Sequence, residues 1–135
     1  MTDLIAPRRA AARSYLESFA SRDPDRIAAH VTDAFINDHA SALGSPCTGR
    51  DEYRRRLPGF LASLPDLRYV VSEPLIDGER AAVAYDLFAQ GTRPDGELVE
   101  VHVRGVMLLW FEGTLISQRL DVWDALTYLR QVGQA

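Results

Sequence analysis

Hydrophobic positions follow a helical period in the first half of the chain and a strand period in the second. In residues 7–20, Ala12, Tyr15, Leu16 and Phe19 recur on one face, which predicts an opening helix. Arg8, Arg9 and Arg13 fall largely off that stripe. Ser21-Arg22-Asp23-Pro24 interrupts it. Asp23 has the chemistry of an N-cap and Pro24 that of a first helical residue. A second short helix is therefore predicted to about Val31, burying Ile27, Ala28 and Val31. Residues 34–40 read as a short strand, and 41–49, rich in Gly, Pro and Ser, as a loop. Tyr53, Leu57, Phe60, Leu61 and Leu64 predict a third helix over 50–64, with a kink at Pro58, which lacks a backbone donor.

After Pro65 the period shortens. Strands are predicted at 67–76, 80–92, 97–111 and 114–123, punctuated by Asp77-Gly78, Pro94-Asp95-Gly96 and Glu112-Gly113. Residues 124–132 read as a short closing helix capped by Asp124. Helices followed by a meander of strands define an α+β plan, with helices packed on one face of a single, mostly antiparallel sheet. A strongly bent sheet around those N-terminal helices makes a cone with an interior pocket. The length of 135 residues fits one domain spanning 1–135, with no linker or repeat to divide it.

Composition narrows the chemistry. At 47% hydrophobic and 25% charged, the chain can bury a core. A net charge of −4 argues against a nucleic-acid partner. All 15 basic residues are arginine. The missing lysine excludes Schiff-base and pyridoxal-phosphate chemistry and a Walker-type phosphate loop. Cys47 is the single cysteine, so no internal disulfide forms. No stretch reaches membrane-spanning length and none reads as a signal peptide, so a cytoplasmic protein without membrane contact is expected.

Several polar residues stand out within these apolar elements. Arg119, Asp121 and Trp123 share one strand face. A carboxyl group in an apolar pocket favours its neutral acid and can exchange protons near neutral pH. The competing reading of Asp121 is a salt bridge to Arg119 or Arg104, or a helix cap. Asp86 lies in a nearly apolar strand, on one face with Ala82, Ala84, Phe88 and Gln90. It is either half of a carboxylate pair with Asp121 or the partner of an arginine on the sheet exterior. His102 and Arg104 share a face with Glu100, Val106, Leu108 and Trp110, opposite Val99, Val101, Val103, Met107 and Leu109. If the mixed face points inward, His102 is a candidate acid–base group and Arg104 a ligand contact. Asn37 and His39 share a face with Phe35, opposite Asp38. Tyr15, Phe19, Tyr53, Trp110 and Trp123 serve as core residues, as pocket lining, or as both. No histidine pair has helical metal-ligand spacing, so no metal is expected. Arg54-Arg55-Arg56 reads as a solvated face paired with Glu52.

The order of elements and several strings resemble the SnoaL-like group of the nuclear transport factor 2-like superfamily, over nearly the whole chain. Residues 13–37 (RSYLESFASRDPDRIAAHVTDAFIN) are similar to its opening helices and first strand. Thr48-Gly49-Arg50 is similar to the start of its third helix, and 111–124 (FEGTLISQRLDVWD) to its closing strand. The resemblance implies a conical fold, usually dimeric, with a pocket for a small, largely apolar molecule. The superfamily includes polyketide cyclases, ketosteroid isomerase, scytalone dehydratase, limonene-epoxide hydrolase and non-enzymatic members, so the fold alone leaves function open.

By the same resemblance, Asp121 matches the general acid/base of the cyclases and one catalytic aspartate of the epoxide hydrolases. Asn37 resembles a substrate-orienting amide, and His39 or Asp38 takes the place of a family histidine, one residue out of register. Ala84 stands where epoxide hydrolases carry an arginine. The leading expectation is a cofactor-free cyclase, isomerase or lyase acting on a small hydrophobic carbonyl compound. Asp121 would exchange the proton, and Arg104, His102 or Asn37 would stabilise the enolate oxygen. One alternative is epoxide hydrolysis or epoxide-opening cyclisation by Asp86 and Asp121; another is a non-catalytic binding or dimerisation module. A homodimer through the outer sheet face is expected.

Overall fold

The computed structural model describes residues 3–135. Helix α1 (Ile5–Ser18) runs into a single 3-10 turn (Phe19–Ser21). Its predicted stripe is buried: Ala12, Tyr15 and Leu16 are fully enclosed and Phe19 nearly so. Helix α2 (Pro24–Ala28) starts where the cap predicts, with the Asp23 carboxylate accepting from the Asp25 and Arg26 amides. It ends earlier than predicted. Val31 is buried as expected, but it already belongs to strand β1 (Val31–His39), drawn into the sheet by pairing with Ile116. Strand β2 (Cys47–Thr48) precedes helix α3 (Arg50–Ser63), which continues across Pro58.

The strand expected at 67–76 is two strands, β3 (Arg68–Val71) and β4 (Leu75–Asp77), both paired with β5. Pro74, without an amide hydrogen, stands at the break. Strands β5 (Arg80–Thr92), β6 (Leu98–Glu112) and β7 (Leu115–Trp123) follow the predicted meander, and helix α4 (Ala125–Gln131) closes the chain behind its Asp124 cap.

The strands form one curled, unclosed mixed sheet of seven in the order β2-β1-β7-β6-β5-β3, with β4 also on β5. Only β1 and β7 pair in parallel among the described strands. The concave face carries Val83, Tyr85 and Leu87 of β5 and Val101, Val103, Met107 and Leu109 of β6, packed against α1 and α3. On β6 it is thus the uniformly apolar face that turns inward, and the mixed face with His102 and Arg104 that turns out. Desolvation decides this: the alternative would bury an unpaired charge to expose four aliphatic side chains.

Candidate functional site

The curled sheet and its helices line a cavity of about 570 Å³. Its wall is mainly apolar, from Phe19, Leu57, Phe60, Leu87, Val101 and Val103. One polar row crosses it. Asn37 and His39 on β1 stand beside Arg119 and Asp121 on β7, in register, and all four line the cavity. Both Arg119 and Asp121 are 4% exposed.

A connected set of hydrogen bonds fixes this row. Arg119 Nη2 donates to Asp121 Oδ2 at 2.8 Å, and Arg119 Nη1 donates to the Tyr15 hydroxyl at 3.0 Å. Tyr15 and Tyr53 share a hydrogen bond between their hydroxyls. Tyr85 donates to Asp121 Oδ1 at 2.7 Å. The ion pair is therefore a single contact, with a tyrosine on the second oxygen. The salt bridge to Arg119 that the sequence offered as the competing reading of Asp121 is present. Each carboxylate oxygen accepts one bond and keeps room for another.

Burial raises the pKa of four of the five tyrosines, Tyr15, Tyr53, Tyr85 and the cavity-lining Tyr69 of β3, so each keeps its proton. Burial works against the charge of Arg119, but the Asp121 carboxylate beside it, with the hydrogen bond accepted by the Tyr15 hydroxyl, outweighs burial, and its pKa rises. For His39, burial first and then the charge of Arg119 lower the pKa, which favours the neutral ring.

Tyr85 and its support were not singled out from the sequence. Tyr85 sits on β5 and Asp121 on β7, with β6 between them, so the tyrosine must lie across a strand to reach the carboxylate. It crosses at Gly105, its register partner. A Cβ at Gly105 would meet the Tyr85 hydroxyl at 2.3 Å. The available signal was a polar-tipped aromatic on an apolar strand face opposite a mid-strand glycine.

The remaining sequence candidates divide cleanly. Phe19, Tyr53 and Trp123 line the cavity. Tyr15 lies behind its floor and touches Arg119 and Tyr53 without lining it. Asp86, His102, Arg104 and Trp110 are not part of it. Asp86 and His102 face outward, where His102 Nε2 meets Asp86 Oδ1 at 2.7 Å and stacks on Phe88, with Arg104 alongside. Hydrogen bonds from His102 and then Arg104 lower the Asp86 pKa. Strand parity explains the division: Asp86 is one residue from inward-facing Tyr85, so Asp86 and Asp121 occupy opposite faces of the sheet. The two-carboxylate arrangement is absent, and Arg104 and His102 are not placed to touch an oxygen in the cavity. At the mouth, Glu52 accepts from Arg55 and Arg56, whose hydrogen bonds push its pKa down to about 2. Among the described residues, no group of three or more His, Cys, Asp or Glu is placed to hold a metal.

A strongly curled sheet wrapped around N-terminal helices in this way matches the α+β cone fold of the nuclear transport factor 2-like superfamily. The sequence model of the SnoaL-like domain matches residues 12–119, and the chain belongs to that family. No curated protein sequence matches it significantly. Among solved structures, one similar chain is a protein of ketosteroid isomerase-like fold from Catenulispora acidiphila in complex with trimethylamine. It is 14% identical, with 93% of each chain covered and a TM-score of 0.82. A protein from Shewanella denitrificans, named for a SnoaL-like polyketide cyclase, is 13% identical over 95% of this chain and 98% of that one, with a TM-score of 0.81. TerC, co-crystallised with polyporic acid, is 17% identical over 94% and 98%, with a TM-score of 0.78. At these identities the likeness is one of fold.

Proposed function

We propose that the cavity binds a small, largely apolar carbonyl compound and that Asp121 moves a proton at the carbon beside the carbonyl. The supporting observation is the placement of Asp121: a buried carboxylate on an apolar cavity, held by Tyr85 and Arg119 yet with acceptor capacity left on each oxygen. In this reading Asp121 takes the proton from carbon and returns it to the same or another carbon. The developing enolate oxygen needs a donor. With Arg104 and His102 on the outer face, Asn37, which lines the cavity, remains to supply it. The carbonyl stores the charge, so the reaction needs no cofactor. Ligands named for two structural neighbours, trimethylamine and polyporic acid, support a small-molecule site in this fold.

The test is proton exchange. In deuterated water the wild-type protein is expected to speed exchange of the C2 protons of 1-tetralone, and Asp121→Asn is expected to lose that effect while staying folded. The epoxide reading is withdrawn, because its second carboxylate is on the far side of the sheet. One specific observation favours a non-catalytic binding module instead: Asp121 already holds an arginine. That reading predicts binding of the ketone without exchange.

We also infer that a second copy of this chain covers the outer sheet face. Leu75, Ala82, Leu108 and Leu120 are register partners across four strands, and Ala84, Val106 and Val122 form the next row. Leu75, Val106 and Val122 are exposed in the single chain. An apolar, self-complementary sheet face is the usual material of a two-fold interface.

A further inference from the structure

Between β1 and β2 the chain runs along the cavity rather than away from it. Leu43, Gly44 and Ser45 line the cavity, as do Arg56 and Phe60 of α3. Leu43 and Phe60 also stay exposed, so the cavity meets solvent between this segment and the helix. Both ends of the segment are fixed to the sheet. The Ala40 amide donates to the Asp121 carbonyl at 3.0 Å, and Cys47 pairs with Asn37. Between them, residues 41–46 carry a turn of their own, in which the Gly44 amide donates to the Ser41 carbonyl. Two contacts hold that turn down. Gly44 rests on the His39 side chain: a Cβ there would come within 2.1 Å of His39 Cβ and 2.4 Å of Cγ, so only glycine allows the approach. Arg56 Nη1 donates to the Ser45 carbonyl, the Ser45 hydroxyl and the Pro46 carbonyl at 3.3, 3.2 and 3.1 Å, while its Nε is held by Glu52 at 2.8 Å. Among the described residues, Arg56 makes every hydrogen bond between 41–46 and the rest of the chain.

A segment fixed at both ends, and held in the middle by one surface arginine, can lift without disturbing the core. We propose that residues 41–46 form a strap over the cavity entrance, latched by Arg56, which lifts off His39 to admit a ligand and reseats to enclose it. Opening breaks the Arg56 bonds and parts Gly44 from His39, while both ends of the strap stay paired to the sheet. Loop movements of this kind take microseconds to milliseconds. The strap also controls water at the polar row. His39 lies beside Asp121 in the register of β1 and β7, so a seated strap keeps that end of the row dry and a lifted one wets it. This rests on the reading of the cavity as a small-molecule site, and adds to it the device that sets access.

One test needs no ligand: an NMR titration of the His39 imidazole. In the wild type its pKa lies below the ordinary histidine value, because burial and then the charge of Arg119 disfavour the imidazolium, against the opposing pull of Asp121 and Asp38. Arg56→Gln is expected to raise the midpoint toward the ordinary value as water reaches the ring. Gly44→Ala lifts the strap without removing a charge, and the same rise is expected. Arg55→Gln removes a like charge from the same helix, but Arg55 makes no bond to the strap, and the midpoint is expected to stay in place. A midpoint unmoved in Arg56→Gln or in Gly44→Ala, or an equal rise in Arg55→Gln, would overturn the proposal. If one of the two strap variants does not fold, the other decides. NMR line shapes then follow the binding of 1-tetralone. In Arg56→Gln both association and dissociation are expected to be about tenfold faster, with the affinity changed by less than about threefold, since the latch bonds are lost on the way in and on the way out. Rates equal to those of the wild type would also overturn the strap. Absence of 1-tetralone binding to the wild type removes the reading of the cavity as a carbonyl-compound site, and the His39 titration still decides the strap.

Discussion

Gly105 shows how much one missing Cβ can organise. Its bare backbone lets Tyr85 lie across β6, with the Val122 carbonyl closing the other side at 2.8 Å from where a Cβ would be. Because both neighbours are held, neither can give way cheaply. Gly105→Ala is expected to displace the Tyr85 hydroxyl from Asp121 and to cost about 1–3 kcal/mol of stability, read from urea unfolding. A change within about 0.5 kcal/mol would show that the crossing is loose. Asp121 itself was legible from its place in the closing strand, and so was its company with Arg119 and Trp123. Tyr85 was not. Attention to charge picked out Asp86, its neighbour on the same strand, and strand parity then sent that residue to the wrong face for chemistry.

At the scale of elements, most of the order follows from period and punctuation. The α1 stripe, the Asp23-Pro24 cap and the long β5–β6 hairpin all lie where the pattern predicts. The differences have separate causes: pairing with β7 draws the start of β1 back to Val31, the absent amide hydrogen of Pro74 divides a strand in two, and pairing with β1 makes a short strand, β2, at the end of the expected loop. One element has a role that no local pattern carries. Strand β7 leaves β6 at Gly105, where it pairs with Trp123, and so exposes an edge of β6. Gln131 of α4 fills it with a side-chain amide, which accepts from the His102 amide at 3.0 Å and donates to its carbonyl at 2.8 Å. The amide stands in for a strand and ties α4 to the sheet. Gln131→Ala is expected to raise the hydrogen-exchange rate of the His102 amide about tenfold, since one bonded edge contact is lost. Unchanged protection would mean that α4 packing alone protects that edge.

Across the whole molecule, one sheet separates two kinds of surface. Its concave face encloses the core, the cavity and the ion pair; its convex face offers apolar rows of β-branched and aliphatic side chains. The alternation of apolar and polar residues was plain in the sequence, but parity alone does not say which face is inside, and both faces of β6 carry aliphatic residues. The cavity is likewise a property of the assembled cone: Asn37 and Arg119 lie far apart in sequence and meet only through the parallel pairing of β1 with β7. On the convex side, light scattering is expected to find a dimer, and Val106→Asp a monomer, because a charge in the centre of an apolar interface is not solvated. A wild-type monomer at micromolar concentration would remove the interface. On the concave side, exchange of the 1-tetralone C2 protons in deuterated water reads proton transfer by Asp121 directly. The wild-type protein is expected to accelerate exchange, and Asp121→Asn to reduce the acceleration by about 100-fold or more, the range of a general base, while still binding the ketone. Equal exchange by Asp121→Asn and the wild type, or no acceleration by the wild type with the ketone bound, would contradict it.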